Sequence, residues 1–307
     1  MSSRIVGIEP PDTTHIASWT GALQLKYGDL LHVSVIGKSA LGRRIYAYRL
    51  GRGQRNVLYC GGVHGREWIT SLLLLHFADE LLDAYTHSRR ICEIDIVRLL
   101  ESGGLTIIPA LNPDGLEISI NGADCPGLSD YLNADLLARC RSREFCRRWK
   151  SNARGVDINR NFDAGWDEMR SIAMENGING PSAAGWTGNY PESEPETRAV
   201  VELCGKMHFR HLVAFHSQGE EIYWSYRNFT PPRAHIMAKM LAISSGYSLC
   251  EPDKSAGSAG LKDWFMEKYG APAFTVEVGS GECPIPLSGF RFMYNRLREM
   301  LVLGIAM

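Results

Sequence analysis

Residues Asn56 to Thr70 read NVLYCGGVHGREWIT. Val57, Leu58 and Tyr59 make a short apolar run closed by Gly61 and Gly62, the pattern of a buried strand ending in a tight turn. His64 and Glu67 fall in that turn. Behind them Leu72, Leu73, Leu74, Leu75, Phe77, Leu81, Leu82 and Tyr85 read as a helix apolar on more than one face, which has to be covered almost all round. A histidine and a glutamate therefore stand where a buried strand hands over to a buried helix. In open α/β sheets ligands bind at this edge, outside the carboxyl ends of the strands. Imidazole nitrogen and carboxylate oxygen are both zinc ligands, and one turn can aim both at a point. By itself the pair also fits a solvated turn, so a third ligand, a base and a substrate clamp have to come from elsewhere in the chain.

Working outward, residues 1–27 form a lead-in with a helix over Thr14 to Tyr27. Leu31 to Ile36 and Arg44 to Leu50 alternate around GKSALGR and read as a hairpin or two adjacent strands. Ser102 to Gly104 break the chain before another buried strand, Leu105 to Leu111, which ends in the turn signal Asn112-Pro113-Asp114-Gly115. Tyr131 to Lys150 reads as helical, Gly155 to Phe162 is too polar for a core strand, and Ala164 to Tyr190 reads as a long loop of the functional kind. Ser193 to Met207 opens on a capping pattern, Ser193 with Glu196, and reads as a helix. His211 to Phe215 is a buried strand ending in His216-Ser217-Gln218-Gly219. Helices are expected over Pro231 to Ser245, Leu261 to Tyr269 and Leu287 to the C-terminus, with a last strand over Ala273 to Val278. Strands alternating with helices imply a single-domain α/β fold, a mixed sheet with helices on both faces.

The 307 residues carry a formal net charge of -1, so no basic field argues for nucleic acid or a membrane surface. The cluster Arg139, Arg141, Arg143, Arg147, Arg148 and Lys150 is offset by Asp135 and Glu144, lacks an aromatic platform, and reads as a solvated face. The 8 cysteines are scattered without a Cys-x-x-Cys pair, which suits buried free thiols, with Cys60 a small apolar filler. MSSRIVGIEPPDTTH lacks the pattern of a signal peptide and no apolar run is long enough to span a bilayer, so a cytoplasmic location is expected.

Three expected strands carry polar residues at or near their carboxyl ends: His64 with Glu67, His216, and Glu277. Two histidines and a glutamate make the open zinc site of hydrolases. A hydrolase also needs a carboxylate that takes a proton from water and passes it to the leaving amine, which Glu277 can do. Asn159 and Arg160 offer donors that can fork onto a carboxylate.

In order and context, His64-x-x-Glu67, Asn159-Arg160-Asn161-Phe162, His216-Ser217 and Glu277 resemble the zinc metallocarboxypeptidases, from roughly Ile36 to the final helix. The resemblance implies a carboxypeptidase-like fold with one zinc per chain on His64, Glu67 and His216. It implies Glu277 as general base and acid, and Asn159 and Arg160 as the grip on the substrate's free α-carboxylate. Trp149-Lys150-Ser151-Asn152-Ala153-Arg154-Gly155-Val156-Asp157, His216-Ser217-Gln218-Gly219-Glu220 and Phe274-Thr275-Val276-Glu277-Val278-Gly279 look closer to a bacterial branch, the γ-D-glutamyl-meso-diaminopimelate peptidases. The chain departs from the digestive members in two ways. Their carbonyl-polarising arginine after a tryptophan is replaced by Lys150, with Arg154 four residues on; either could serve, and position favours Lys150. Their mobile tyrosine aligns with Ser255, and Tyr247 is offset from it. Lys262 aligns with the base of the pocket for the leaving residue's side chain, where it would pair with a side-chain carboxylate; a solvated helix lysine is the plainer alternative. The implied activity is hydrolysis of the amide between γ-D-glutamate and meso-diaminopimelate in a small murein peptide, as in recycling inside a bacterial cell. A carboxypeptidase for acidic C-terminal residues of L-peptides, a silent murein-peptide binder and a zinc deacylase of N-acyl amino acids are the alternatives. Oligomeric state is left open.

Overall fold

The computed structural model describes residues 4–53, 55–122, 127–251 and 258–307. Its strands are β1 (Leu31–Lys38), β2 (Arg44–Leu50), β3 (Arg55–Cys60), a small pair β4 (Arg90–Ile91) and β5 (Ile94–Asp95), β6 (Gly103–Ile108), β7 (Leu212–His216), β8 (Glu221–Tyr223), β9 (Ser248–Cys250) and β10 (Ala273–Glu277). Eight of them form one mixed sheet in the order β1-β2-β6-β3-β7-β10-β8-β9. β6, β3, β7 and β10 run parallel in the middle, while β1 and β2 are antiparallel at one edge and β8 is antiparallel to β10 near the other.

The apolar run around Leu58 is β3, buried at every residue after Arg55. It lies between β6 and β7, so the chain leaves it toward one side of the sheet and later returns to the other. That reversal opens a crevice at the carboxyl ends of β3 and β7. The helix Ile69–Thr86 that follows is buried along nearly its whole length, as its all-round apolar pattern requires. It packs on one face of the sheet with the helices Thr13–Tyr27, Ala234–Ser245 and Phe290–Ala306, in a core around Tyr59, Phe77, Phe215, Phe274 and Phe290. The helices Pro195–Lys206 and Leu261–Tyr269 cover the other face, around Leu58, Cys60, Phe162, Ala199 and Phe265.

Several expectations are corrected. Gly103 and Gly104 do not break the chain; they begin β6, paired in parallel with Arg55 and Asn56. Asn112-Pro113-Asp114-Gly115 opens the helix Pro113–Asn121, with the Asn112 side chain accepting from Gly115 N and proline at the first turn, where its missing N–H costs nothing. The 131–150 segment splits into the short helices Ala134–Cys140 and Arg143–Arg147. The loop expected over 164–190 contains the helix Trp166–Glu175. Ser193 is not a helix cap: Glu194 occupies that place, and the Ser193 hydroxyl donates to Glu194 instead. The short strands β8 and β9 were not expected. Cys60, Cys140, Cys146 and Cys204 are buried free thiols, but Cys92 is exposed, Cys250 and Cys283 are half-buried, and Cys125 lies outside the described residues. No described helix is long and apolar enough to cross a membrane.

One buried carboxyl beneath the sheet edge yields a pH prediction. Glu196 accepts from Ala40 N at 3.0 Å and from the Asn152 amide at 3.1 Å. Burial first, and then nearby Asp114, push its pKa up to about 7. The folded chain thus holds a proton that the unfolded chain has released, so the Glu196 contribution falls as pH rises from 4.5, its unfolded value, to about 7. The unfolding free energy of wild type minus that of Glu196→Gln should drop by about 3 kcal/mol across this window and then level off. Chemical denaturation of both proteins at stepped pH checks it; a difference independent of pH would contradict it.

Candidate metal and peptide site

β3, β7 and β10 are neighbours, and their carboxyl ends bring His64 with Glu67, His216, and Glu277 together. Glu277 lies beside His216 in the parallel register, and Val278 N donates to His216 O at 2.7 Å. His64, Glu67 and His216 are all buried, and their ligand atoms lie within 4.8 Å of one another. His64 Nδ1 is 2.9 Å from Glu67 Oε1 and 3.2 Å from His216 Nδ1, which is itself 3.0 Å from Glu67 Oε2.

This donor set fits zinc. Donors at about 2.1 Å from a tetrahedral centre lie about 3.4 Å apart. Two imidazole nitrogens facing each other at 3.2 Å beside a carboxylate repel unless a cation or proton lies between them. Burial opposes a charge on His64, but Glu67 and Asp157 outweigh burial and raise its pKa to about 9. Burial lowers His216. Burial would raise Glu67, yet His64 and Lys150 overcome it and hold its carboxyl well below the usual range.

Asp157 is a site residue to which the sequence reading gave no role. His64 Nε2 donates to Asp157 Oδ1 at 3.1 Å, which leaves the Nδ1 lone pair for a metal. Burial opposes ionisation of Asp157, but His64 overcomes it and keeps the carboxyl ionised. Its other oxygen accepts from Gly185 N at 3.0 Å. A carboxylate two residues before Asn159, in a polar run beside two strand-end histidines, was the available signal.

The turn is stitched to the segment carrying Lys150. Gly65 N donates to Lys150 O at 3.0 Å and Arg66 N to Trp149 O at 2.7 Å. Gly65 has to be glycine, because a Cβ there would lie 2.2 Å from Gly115 O. Lys150 Nζ consequently stands 3.5 Å from Glu67 Oε1. Arg154 is elsewhere: it pairs with Glu194 at 3.8 Å, stacks over Tyr131, and does not line the cleft.

The cleft beside the three donors has a volume of about 170 Å³ and is lined by His64, His216, Glu277, Lys150, Asn159 and Arg160, with Tyr223, Gly260, Lys262, Asp263 and Thr275 around its far end. Hollows of about 380 Å³ elsewhere are larger, but neither reaches the carboxyl ends of β3, β7 and β10. Asn159 Oδ1 accepts from Leu261 N at 3.1 Å, and its amide N–H groups donate to no partner among the described residues. Arg160 donates to Ser258 O at 3.1 Å. Lys262 is no solvated lysine: it is 5% exposed, donates to Ser225 O at 2.7 Å and pairs with Asp263. Glu277 keeps an opening to the cleft, yet burial, then Glu67, push its pKa up to about 8 in the protein alone. The position aligned with the mobile tyrosine, Ser255, lies outside the described residues. Tyr247 cannot take that part, because it is buried with its hydroxyl accepting from Gly279 N at 3.0 Å.

A "Gamma-D-glutamyl-L-diamino acid endopeptidase 1" of Lysinibacillus sphaericus is 34% identical over 286 residues, covering 92% of this chain and 69% of that protein. "Carboxypeptidase B" of Bos taurus is 26% identical, covering 86% of this chain and 61% of that protein. The crystal structure of thrombin activatable fibrinolysis inhibitor shares the fold, with a TM-score of 0.77 at 19% identity, covering 99% of this chain and 76% of that one. The family model for zinc carboxypeptidases matches residues 16–291, through each strand end that builds the site. The chain thus belongs to the zinc carboxypeptidase family and is a metallopeptidase.

Proposed function

We propose that the chain hydrolyses the amide between γ-D-glutamate and a C-terminal diamino acid in small murein peptides, meso-diaminopimelate being the favoured leaving residue. One observation carries this reading: among the described residues, the cleft beside His64, Glu67 and His216 is lined by polar side chains and a glycine, with no aliphatic wall. An apolar leaving side chain would gain nothing there, whereas a charged one meets Lys262, Asp263 and Tyr223. The name of the Lysinibacillus sphaericus relative supports the same bond.

His64 and His216 through Nδ1, with the Glu67 carboxylate, would hold the zinc. Zinc bound there supplies a Lewis acid that polarises a carbonyl and makes water more acidic. Glu277 takes the proton of the attacking water and delivers it to the leaving amine. Lys150 places a cation where negative charge develops on the carbonyl oxygen. Asn159 and Arg160 bind the α-carboxylate of the leaving residue and set the scissile bond in place.

L-Ala-γ-D-Glu-meso-diaminopimelate should therefore release free diaminopimelate, detected by mass spectrometry. Amidating the α-carboxylate of the leaving residue should lower kcat/KM about tenfold or more, since a hydrogen-bonded charged contact is lost. Equal cleavage of the amidated and free peptides would contradict the clamp, and intact murein peptide after full conversion of a hippuryl L-peptide would contradict the substrate.

A further inference from the structure

We propose that a cavity on the face of the sheet covered by the helix Ile69–Thr86 is a second binding site, for a phosphate monoester carried on a flat ring. The cavity has a volume of about 380 Å³, within the range of small-molecule sites, and shares no lining residue with the cleft at the metal donors. The helix Ile69–Thr86 supplies His76 and Glu80 to it, and the helix Phe290–Ala306 supplies Phe290, Arg291, Tyr294 and Arg298. Arg4 completes the charged lining. The hydrolysis described above uses none of these residues.

The charges in the cavity do not balance. Glu80 is buried, and its Oε1 takes Arg298 at 2.7 Å and Arg4 at 3.1 Å, while its Oε2 accepts from the Tyr294 hydroxyl. Burial opposes the Glu80 charge, but Tyr294 and Arg298 overcome it and hold the carboxyl below its usual range. One carboxylate thus answers two guanidinium groups, and Arg291 adds a third that has no ion-pair partner among the described residues. Asp79 does not line the cavity and is taken up by Ile5 N at 2.7 Å, Val6 N at 3.2 Å and the Tyr27 hydroxyl at 2.8 Å. Burial, then Arg4, lower the His76 pKa to about 4, so that ring is neutral at pH 7. Two positive charges are left over. A phosphate monoester brings about -1.5 to -2 at that pH, and guanidinium groups fork onto its oxygens. A single carboxylate brings only one charge.

Two further observations select the ligand. His76 Nδ1 and Arg298 Nε are buried without a hydrogen-bond partner, and His76 is only 9% exposed. Unpaired buried polar atoms are costly, and a phosphoryl group has three oxygens to offer them. The rest of the wall is aromatic. Phe290 and Tyr294 stack with centroids 5.9 Å apart, and both meet His76 edge-on, at 5.4 and 4.7 Å. Such a wall favours a flat ring on the ester over an aliphatic chain.

Isothermal titration of the full zinc-loaded chain with phenyl phosphate, propyl phosphate and benzoate reads both features. Phenyl phosphate should bind more tightly than benzoate by about tenfold or more, through its second charge. It should exceed propyl phosphate by about threefold or more, through its ring. Arg291→Ala, at an exposed position, should weaken phenyl phosphate by about tenfold or more and leave peptide hydrolysis unchanged. Benzoate or propyl phosphate binding as tightly as phenyl phosphate would strike the proposal, as would no binding of phenyl phosphate at millimolar concentration. Wild-type affinity in Arg291→Ala would put the ligand elsewhere on the chain, the metal cleft included, and overturn the site.

Discussion

Glu277→Gln should fold, bind zinc as wild type does, and turn over about 10²–10⁴-fold more slowly. The amide has nearly the shape of the carboxylate but cannot accept a proton from water. Its backbone place is set by β10, whose register with β7 puts Glu277 beside His216 whatever the side chain carries. The carboxylate costs the protein alone something to keep, because burial and Glu67 both oppose its charge. A neutral amide therefore leaves stability unchanged or raised, and a fall in kcat cannot be assigned to unfolding. Near-normal kcat with zinc in place would show that Glu277 is not the proton acceptor.

His216→Ala should lose most of its zinc. The site has His64, Glu67 and His216 as its only converging ligand trio among the described residues, so alanine leaves two donors and an open side. The loss should exceed the roughly 10–100-fold that removal of a supporting hydrogen-bond partner costs a metal site. Asp157→Asn provides that smaller benchmark, since it keeps the three ligands and weakens only the carboxylate hold on His64 Nε2. Metal analysis after dialysis against a graded chelator compares the two variants. Zinc retained at wild-type occupancy in His216→Ala would remove this residue from the site.

The parts of this account legible in the sequence are those that local pattern controls. A short apolar run closed by glycines reads as a buried strand with a tight exit, so β3 and the place of His64 follow from residues 57–64. The all-round apolar helix behind it and the strand ending at His216 follow in the same way. What escaped depends on contacts far apart in the chain. Gly103 and Gly104 look like a break, but partners on β3 make them a strand. β8 has three residues, Tyr223 lines the cleft and its hydroxyl donates to Glu221 at 2.7 Å, so its alternation never reached a readable length. Ser193 carried a capping pattern, but Asn161 draws its hydroxyl region into another network, donating to Ser193 Oγ at 3.0 Å. That Lys150 lines the cleft and Arg154 does not turned on two backbone bonds from Gly65 and Arg66, which no spacing encodes. Asp263 escaped for the same kind of reason: it lines the cleft because the start of its helix is buried there, which the local pattern does not show.

The most direct test of the account puts L-Ala-γ-D-Glu-meso-diaminopimelate and a hippuryl L-peptide with a C-terminal glutamate in one tube at equal concentration, with the zinc-loaded enzyme. The ratio of the two products during early conversion, read by mass spectrometry, is the ratio of the two kcat/KM values. The account predicts diaminopimelate release in excess over glutamate release by about tenfold or more, the worth of one charged hydrogen bond in the cleft. Glutamate released as fast as diaminopimelate, or faster, would contradict it.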